Sequence, residues 1–146
     1  DIEAAAQVVY REFRATPQYR WALLSQRLGT DCWVKHENHT PVGAFKIRGG
    51  LTYFDALRQH GALPREVISA TRGNHGQSLA FAGRHADRSV TIFVPHGNSV
   101  EKNDAMRALG ADVVVAPDGT IAKLILPATP DARPGVDELL TALRDA

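Results

Sequence analysis

Lys46 and Asn74 are the two side chains whose type and setting could do chemistry, and each lies in a glycine-flanked loop. The first loop is GAFKIRGG, from Gly43 to Gly50, and the second is ATRGNHGQS, from Ala70 to Ser78. Each falls between an apolar, strand-like run and a helix-like run. Lys46 follows Phe45 directly at what reads as the opening turn of a helix, so its amine is expected among apolar groups and backbone N–H donors. Desolvation and nearby positive dipoles both disfavour an ammonium, and a neutral amine is a nucleophile able to condense with an aldehyde. The plain alternative is a lysine reaching into solvent from a helix end. In GNHGQ, Asn74 stands at a strand-to-helix junction where unpaired N–H groups favour an anion. Its amide could bond a phenolate or a carboxylate, while Gly73 and Gly76 would let the backbone approach a ligand closely. Here the plain alternative is a glycine-assisted turn that binds nothing.

Considered together and in order, these residues carry a resemblance. Thr40-Pro41, Phe45-Lys46-Ile47-Arg48-Gly49, Gly73-Asn74-His75-Gly76-Gln77, Val94-Pro95, Lys102 and Ala108-Leu109-Gly110-Ala111 resemble the pattern of the fold-type II pyridoxal phosphate enzymes. The branch they resemble is that of the serine/threonine dehydratases and serine racemases, and the match spans roughly residues 15 to 116. The resemblance implies that Lys46, beside Phe45, holds pyridoxal 5'-phosphate through its amine and that Asn74 contacts the oxygen of the cofactor ring. It further implies that the loop of Thr71, Arg72, Gly73, Asn74 and His75 holds the carboxylate of a small amino-acid substrate. The implied reaction eliminates water from a hydroxy-amino acid such as threonine or serine, giving a keto acid and ammonia, with Lys46 as the base for the α-proton.

Two positions narrow that reading. The cysteine synthases of the wider family have threonine where His75 stands, which favours elimination over replacement chemistry. The racemases have a serine immediately before the GNH motif, and here that position is Arg72. A guanidinium is a poor acid or base at neutral pH, so racemisation is expected to be weak or absent. Arg72 either sets a positive charge near the substrate, which would suit an acidic one such as a hydroxyaspartate, or points to solvent. Alternatives are a serine/aspartate racemase-like member and a non-catalytic remnant of the same frame.

The elements that must position these loops are legible from periodicity. Apolar residues at Ile2, Ala5, Ala6, Val9 and Phe13 predict a first helix that ends before Thr16-Pro17. Trp21 to Leu28 closes at Gly29, and Cys32 to Glu37 alternates as a first strand. Further helices are predicted over 45–60, closed by Gly61, over 75–85, and from an Asn98 or Ser99 cap to Leu109. Strands are predicted over 67–70, 90–94 and 112–116. The alternation implies an α/β fold with a parallel sheet, helices on both faces, and ligands at the carboxyl ends of the strands, where both loops are expected. Among other polar residues, Arg48 is expected in a structural ion pair, His75 in a structural role, and His36 with His39, three apart, are set aside as metal ligands because their segment reads as a strand followed by a Thr-Pro loop, not as a helix face.

After Ala116 the pattern changes. A short strand-like run, Leu124 to Leu126, a linker with Pro127, Pro130 and Pro134, and a helix from Val136 to Leu143 make residues 117–146 a divergent tail to the amino-terminal β/α part. No run of three glycines supplies the phosphate loop of the resembled family, so the chain reads as a fragment, a chain joined across a gap, or a short relative.

Composition bounds the partners. With 146 residues, 44% hydrophobic, the chain can fill one core. Seventeen basic and 16 acidic side chains give a net charge of +1 with no basic run, so nucleic acid and membrane surfaces gain no support as partners. One cysteine, Cys32, precludes an intrachain disulfide and suits a cytoplasmic setting. No apolar stretch approaches a membrane span, the start DIEAAA is not a signal peptide, and a homodimer is implied by the resemblance alone.

Overall fold

A computed structural model describes residues 1–115. The predicted tail, from the end of the last strand at Ala116 through the helix over 136–143, lies outside the described residues.

Helix α1 (Ile2–Glu12) starts where the Asp1 carboxylate accepts the Ala4 N–H at 2.8 Å, and it buries Val9. Strand β1 (Gln18–Arg20), helix α2 (Ala22–Leu28) and strand β2 (Trp33–Lys35) follow, and Gly29 closes α2 in the left-handed conformation at φ 69°. A single 3-10 turn, Glu37–His39, then leads to α3 (Lys46–Gln59). The remainder alternates: β3 (Glu66–Ala70), α4 (Asn74–His85), β4 (Ser89–Val94), α5 (Val100–Ala108) and β5 (Asp112–Val115). Ser99 caps α5 by accepting the Lys102 N–H.

β3, β4 and β5 form a parallel sheet in that order, with Ser69 level with Ile92 and Ile92 level with Val113. Two right-handed crossovers that step in one direction place α4 and α5 on the same face, and the two helices touch there. Val90, Ile92 and Val94 point into this layer and are at most 3% exposed, whereas Thr91 and Phe93 are half-buried. Ile47, Leu51 and Phe54 of α3, Leu79, Ala80 and Ala82 of α4, and Met106 of α5 complete the core.

The first predicted strand is corrected. The segment around Cys32–Glu37 is not a member of the parallel sheet: β2 pairs antiparallel with β1, Tyr19 opposite Val34, as a separate two-stranded sheet. Three-residue strands carry too few alternations for periodicity to assign a partner. Consequently only the Asn74 loop lies at the carboxyl end of a parallel strand; the Lys46 loop follows the antiparallel pair and the 3-10 turn.

Close packing of α4 on the sheet depends on its small residues. A Cβ at Gly83 would run into the Val90 side chain and lie 3.1 Å from the Arg88 carbonyl oxygen, whereas one at Gly49 would meet nothing within 4 Å. Gly83→Ala is therefore expected to cost about 1–3 kcal/mol, and Gly49→Ala to add about 0.5–1 kcal/mol. Urea unfolding of the purified protein checks both, and equal midpoints for the two variants would contradict this packing.

Candidate active site

The approach to Lys46 is built by a threonine and a glycine. The buried Thr40 hydroxyl accepts the Ala44 N–H and donates to the Ala44 carbonyl, both at 2.9 Å. Gly43, at φ 65°, completes the turn by donating its N–H to the Thr40 carbonyl. A left-handed residue in a turn of this kind is cheapest as glycine. Phe45 and Lys46 then open α3, and the fully buried Ile47 anchors its first turn in the core.

The second loop continues the sheet for one more residue, since the Thr71 N–H donates to the Phe93 carbonyl at 3.0 Å. Gly73 begins α4 with extended backbone and no side-chain cap. The Gln77 N–H is paired with the Gly73 carbonyl, but those of Asn74, His75 and Gly76 find no acceptor among the described residues. Three N–H groups converge where the helix dipole is positive, an arrangement suited to a carboxylate or phosphate.

The glycines of this loop work differently from expectation. A Cβ at Gly76 would collide with the Met106 sulfur, and would lie 2.9 Å from the Thr71 methyl and 3.3 Å from Ile92, so the missing side chain of Gly76 makes room for the core and not for a ligand. At Gly73 the vacated space is taken by Lys102, whose Cδ lies 3.1 Å and whose Nζ lies 3.7 Å from where a Cβ would stand. Lys102 is thereby drawn to the loop. Among the described residues neither Lys102, Arg72 nor Lys46 has a carboxylate partner, so the local charge favours an anion.

What joins the two loops is the packing of α3 against α4. Ser78, 1% exposed, donates its hydroxyl to the Lys46 carbonyl at 2.6 Å. Asn74 lies four residues before Ser78, about 6 Å along the helix axis. Lys46 and Asn74 therefore begin neighbouring helices at the same end of the layer. Nothing in the spacing of the sequence singles out Ser78, which there is only the residue after GNHGQ.

The solvent-shielded setting expected for Lys46 is not supplied by the described residues. Its side chain is exposed, with Nζ 5.2 Å from the Phe45 ring centroid, and Phe45 is itself 61% exposed. Asn74, His75 and Arg72 are exposed as well. The reason is geometric: α3, α4 and the loop form one wall, and a wall without an opposite side excludes no water. A reachable amine beside an aromatic ring, a carboxamide at the same helix end and an unpaired N–H cluster nonetheless fit a planar aldehyde cofactor that carries anionic groups.

Behind the wall lies a half-buried ion pair. Arg48, two residues into α3, binds both oxygens of Glu37, Nε to Oε2 at 2.8 Å and Nη2 to Oε1 at 3.0 Å. The Thr16 hydroxyl donates to Glu37 Oε1 at 2.7 Å, and the guanidinium lies 5.2 Å from the Phe13 ring centroid. Arg48 is thus in the structural ion pair expected of it, held between α1, the 3-10 turn and α3. The Arg48 hydrogen bonds, aided by Thr16 and by the charges of Arg48 and Lys35, hold the Glu37 carboxyl below the usual glutamate range despite burial; the Glu37 bond likewise raises Arg48. His36 and His39 meet edge-on at 6.0 Å, and no group of three or more metal-ligating side chains occurs among the described residues. No helix among them is long and apolar enough to cross a membrane.

Comparison with known proteins identifies the family. A family model described as "Pyridoxal-phosphate dependent enzyme" matches residues 9–135, a wider span than the 15–116 expected from the motifs. The chain is 32% identical over 107 residues to the biosynthetic L-threonine dehydratase of Haemophilus influenzae, covering 73% of this chain and 21% of that protein. It is 34% identical over 114 residues to an L-threonine ammonia-lyase of Geobacter sulfurreducens, covering 78% and 28%. Among solved structures, a pyridoxal 5'-phosphate-dependent aspartate racemase superposes with a TM-score of 0.73 at 28% identity, over 79% of this chain and 36% of that one. The processed threonine deaminase isoform 2 of Solanum lycopersicum superposes with a TM-score of 0.66 at 32% identity, over 81% and 36%. The chain therefore spans between about a fifth and a third of the length of the relatives it matches.

The ion pair sets an acid limit on stability. A carboxyl held below its unfolded value contributes fully above the ordinary glutamate pKa of about 4.3, and that contribution is lost as pH falls through the folded value. Glu37→Gln is expected to lower stability at neutral pH by about 1–3 kcal/mol, with the deficit constant from pH 6 to 8 and shrinking below about pH 4. Urea titrations across that range check it, and a deficit that grows on acidification would contradict the assignment.

Proposed function

This chain belongs to the pyridoxal-phosphate dependent enzymes, and from that membership we propose that it is part of an ammonia-lyase acting on a small hydroxy-amino acid such as threonine or serine, a cytoplasmic enzyme able to assemble as a homodimer. The observation that carries the reading is that α3, opened by Lys46, is bonded to α4, opened by Asn74, through Ser78, with three N–H groups at the start of α4 unpaired among the described residues. Similarity to threonine dehydratases and to an L-threonine ammonia-lyase supports elimination as the reaction class.

Pyridoxal phosphate, when bound, supplies an electron-withdrawing ring that acidifies the α-carbon of an attached amino acid. Lys46 would hold the cofactor through its amine, and its Nζ is the group that would accept the α-proton. Asn74 would contact the cofactor's ring oxygen through its carboxamide N–H and so help to orient it. The N–H groups of Asn74, His75 and Gly76 hold the substrate carboxylate, with the positive start of α4 behind them. The proton taken up by Lys46 Nζ would return to the departing β-hydroxyl, which leaves as water, and addition of water to the imine form of the product would then give the keto acid and ammonia.

Arg72 favours a second reading, in which the substrate is acidic. No carboxylate among the described residues neutralises Arg72 or Lys102, and the aspartate racemase is among the similar structures. An arginine before Gly73 offers a side-chain carboxylate a partner without offering the α-carbon a second base. This keeps elimination as the chemistry while changing the substrate to a hydroxyaspartate.

Incubation of the purified protein with pyridoxal phosphate is expected to give a visible absorbance band, with release of ammonia from threonine, serine or 3-hydroxyaspartate. Preference for the last would support the acidic reading. Lys46→Ala is expected to remove the band and to lower ammonia release by about 10²–10⁴-fold. A protein that stays colourless with added cofactor would contradict the proposal and favour a non-catalytic remnant of the fold.

A further inference from the structure

Of the five buried polar residues among those described, Ser78 is the one whose side chain joins two long helices. A helical serine or threonine ordinarily returns its hydroxyl to the carbonyl one turn back in its own helix. Ser25 does so with Trp21 at 2.8 Å, and Thr52 with Arg48 at 3.0 Å. Ser78 instead donates across the interface to Lys46, at 2.6 Å. The Lys46 carbonyl already has an intrahelical donor by its place in α3, so this bond satisfies no orphan backbone group; it ties one helix to the other.

The tie lies at a close approach of the two backbones. A Cβ at Gly50, one turn beyond Lys46, would fall on the Ser78 hydroxyl and stand 2.8 Å from the Ser78 carbonyl oxygen and 3.2 Å from its carbon. Gly50 and Ser78 are therefore a matched pair, the missing side chain of one making room for the hydroxyl of the other. The helix that receives the bond needs it. α3 starts at Phe45 without a side-chain cap, and Lys46 is its first residue, the position most prone to fraying.

We infer that Ser78 is a positioning residue for Lys46: its buried hydroxyl holds the first turn of α3 against α4 and so sets where the lysine amine stands relative to Asn74. The inference rests on the proposed role of Lys46 and deepens it. Arg48 and Glu37 hold the same turn from the opposite side, which leaves Ser78 to define its distance from α4.

The test uses the purified protein with Ser78→Ala and Ser78→Cys, and with Ser25→Ala as a control for the loss of an equally buried hydroxyl. The readouts are thermal midpoint, the rate at which pyridoxal phosphate becomes fixed to Lys46 by borohydride, the split between kcat and KM, and amide hydrogen exchange in the first turn of α3. Both Ser78 variants are expected to slow attachment at Lys46 and lower kcat about tenfold, with KM changed less than about twofold, as a displacement of well under 1 Å would do. Ser25→Ala is expected to lower the midpoint comparably without slowing attachment. Equal slowing in the control, or unchanged attachment in the Ser78 variants, would overturn the inference. Exchange separates it from the function proposal: if the wild-type protein attaches no cofactor, faster exchange at Gly49 and Gly50 in Ser78→Ala still supports the pinning of the turn, and unchanged exchange overturns it.

Discussion

The close approach of α4 to its neighbours on two sides is the constraint from which the rest of the architecture follows. On one side, Gly76 and Gly83 bring it against Met106 and Val90; on the other, Ser78 meets Gly50 of α3 at backbone distance. Substitution of any of these glycines by a larger residue would push helices apart in a layer where close packing supplies much of the contact energy. A helix seated this closely has little freedom to slide, and its first turn is therefore a fixed reference for whatever binds there.

The chemistry follows from which residues stand at that reference. α4 starts on a glycine that caps nothing, so its first N–H groups stay available, and the neighbouring helix α3 opens on a lysine whose carbonyl is tied to α4. Lys102, which fills the space beside Gly73, and Arg72 add positive charge without a carboxylate to cancel it. The Glu37–Arg48 pair does different work. Both charges are used up by each other and by Thr16, so they hold α3 in place and leave the ligand side to unpaired groups.

Much of this was legible before any coordinates. The parallel strands and the helices between them follow from apolar runs bounded by Gly61, Pro95 and Gly110, and the start of α5 agrees with the capping chemistry of Ser99. Lys46 as the first residue of a helix and Asn74 after a parallel strand were both readable from local pattern. What was not readable depends on residues far apart in the chain. The pairing of β1 with β2 involves three-residue strands; the inward face of Gly76 depends on Met106, thirty residues later; and the bond between Ser78 and Lys46 depends on how two helices cross. The expected drying of Lys46 failed for a related reason: local apolar neighbours such as Phe45 can be exposed themselves, and burial is a property of both walls of a cleft.

The central claim is that one small aromatic ligand can touch Lys46 and Asn74 at once because α3 and α4 start side by side. Its most direct measurement is a crystal structure of the protein incubated with pyridoxal phosphate and reduced with borohydride. The account predicts continuous density from Lys46 Nζ into the ring, with the Asn74 carboxamide within hydrogen-bonding distance of the ring oxygen. Density at Lys35 or Lys102 instead, or a ring on Lys46 that Asn74 does not reach, would contradict it.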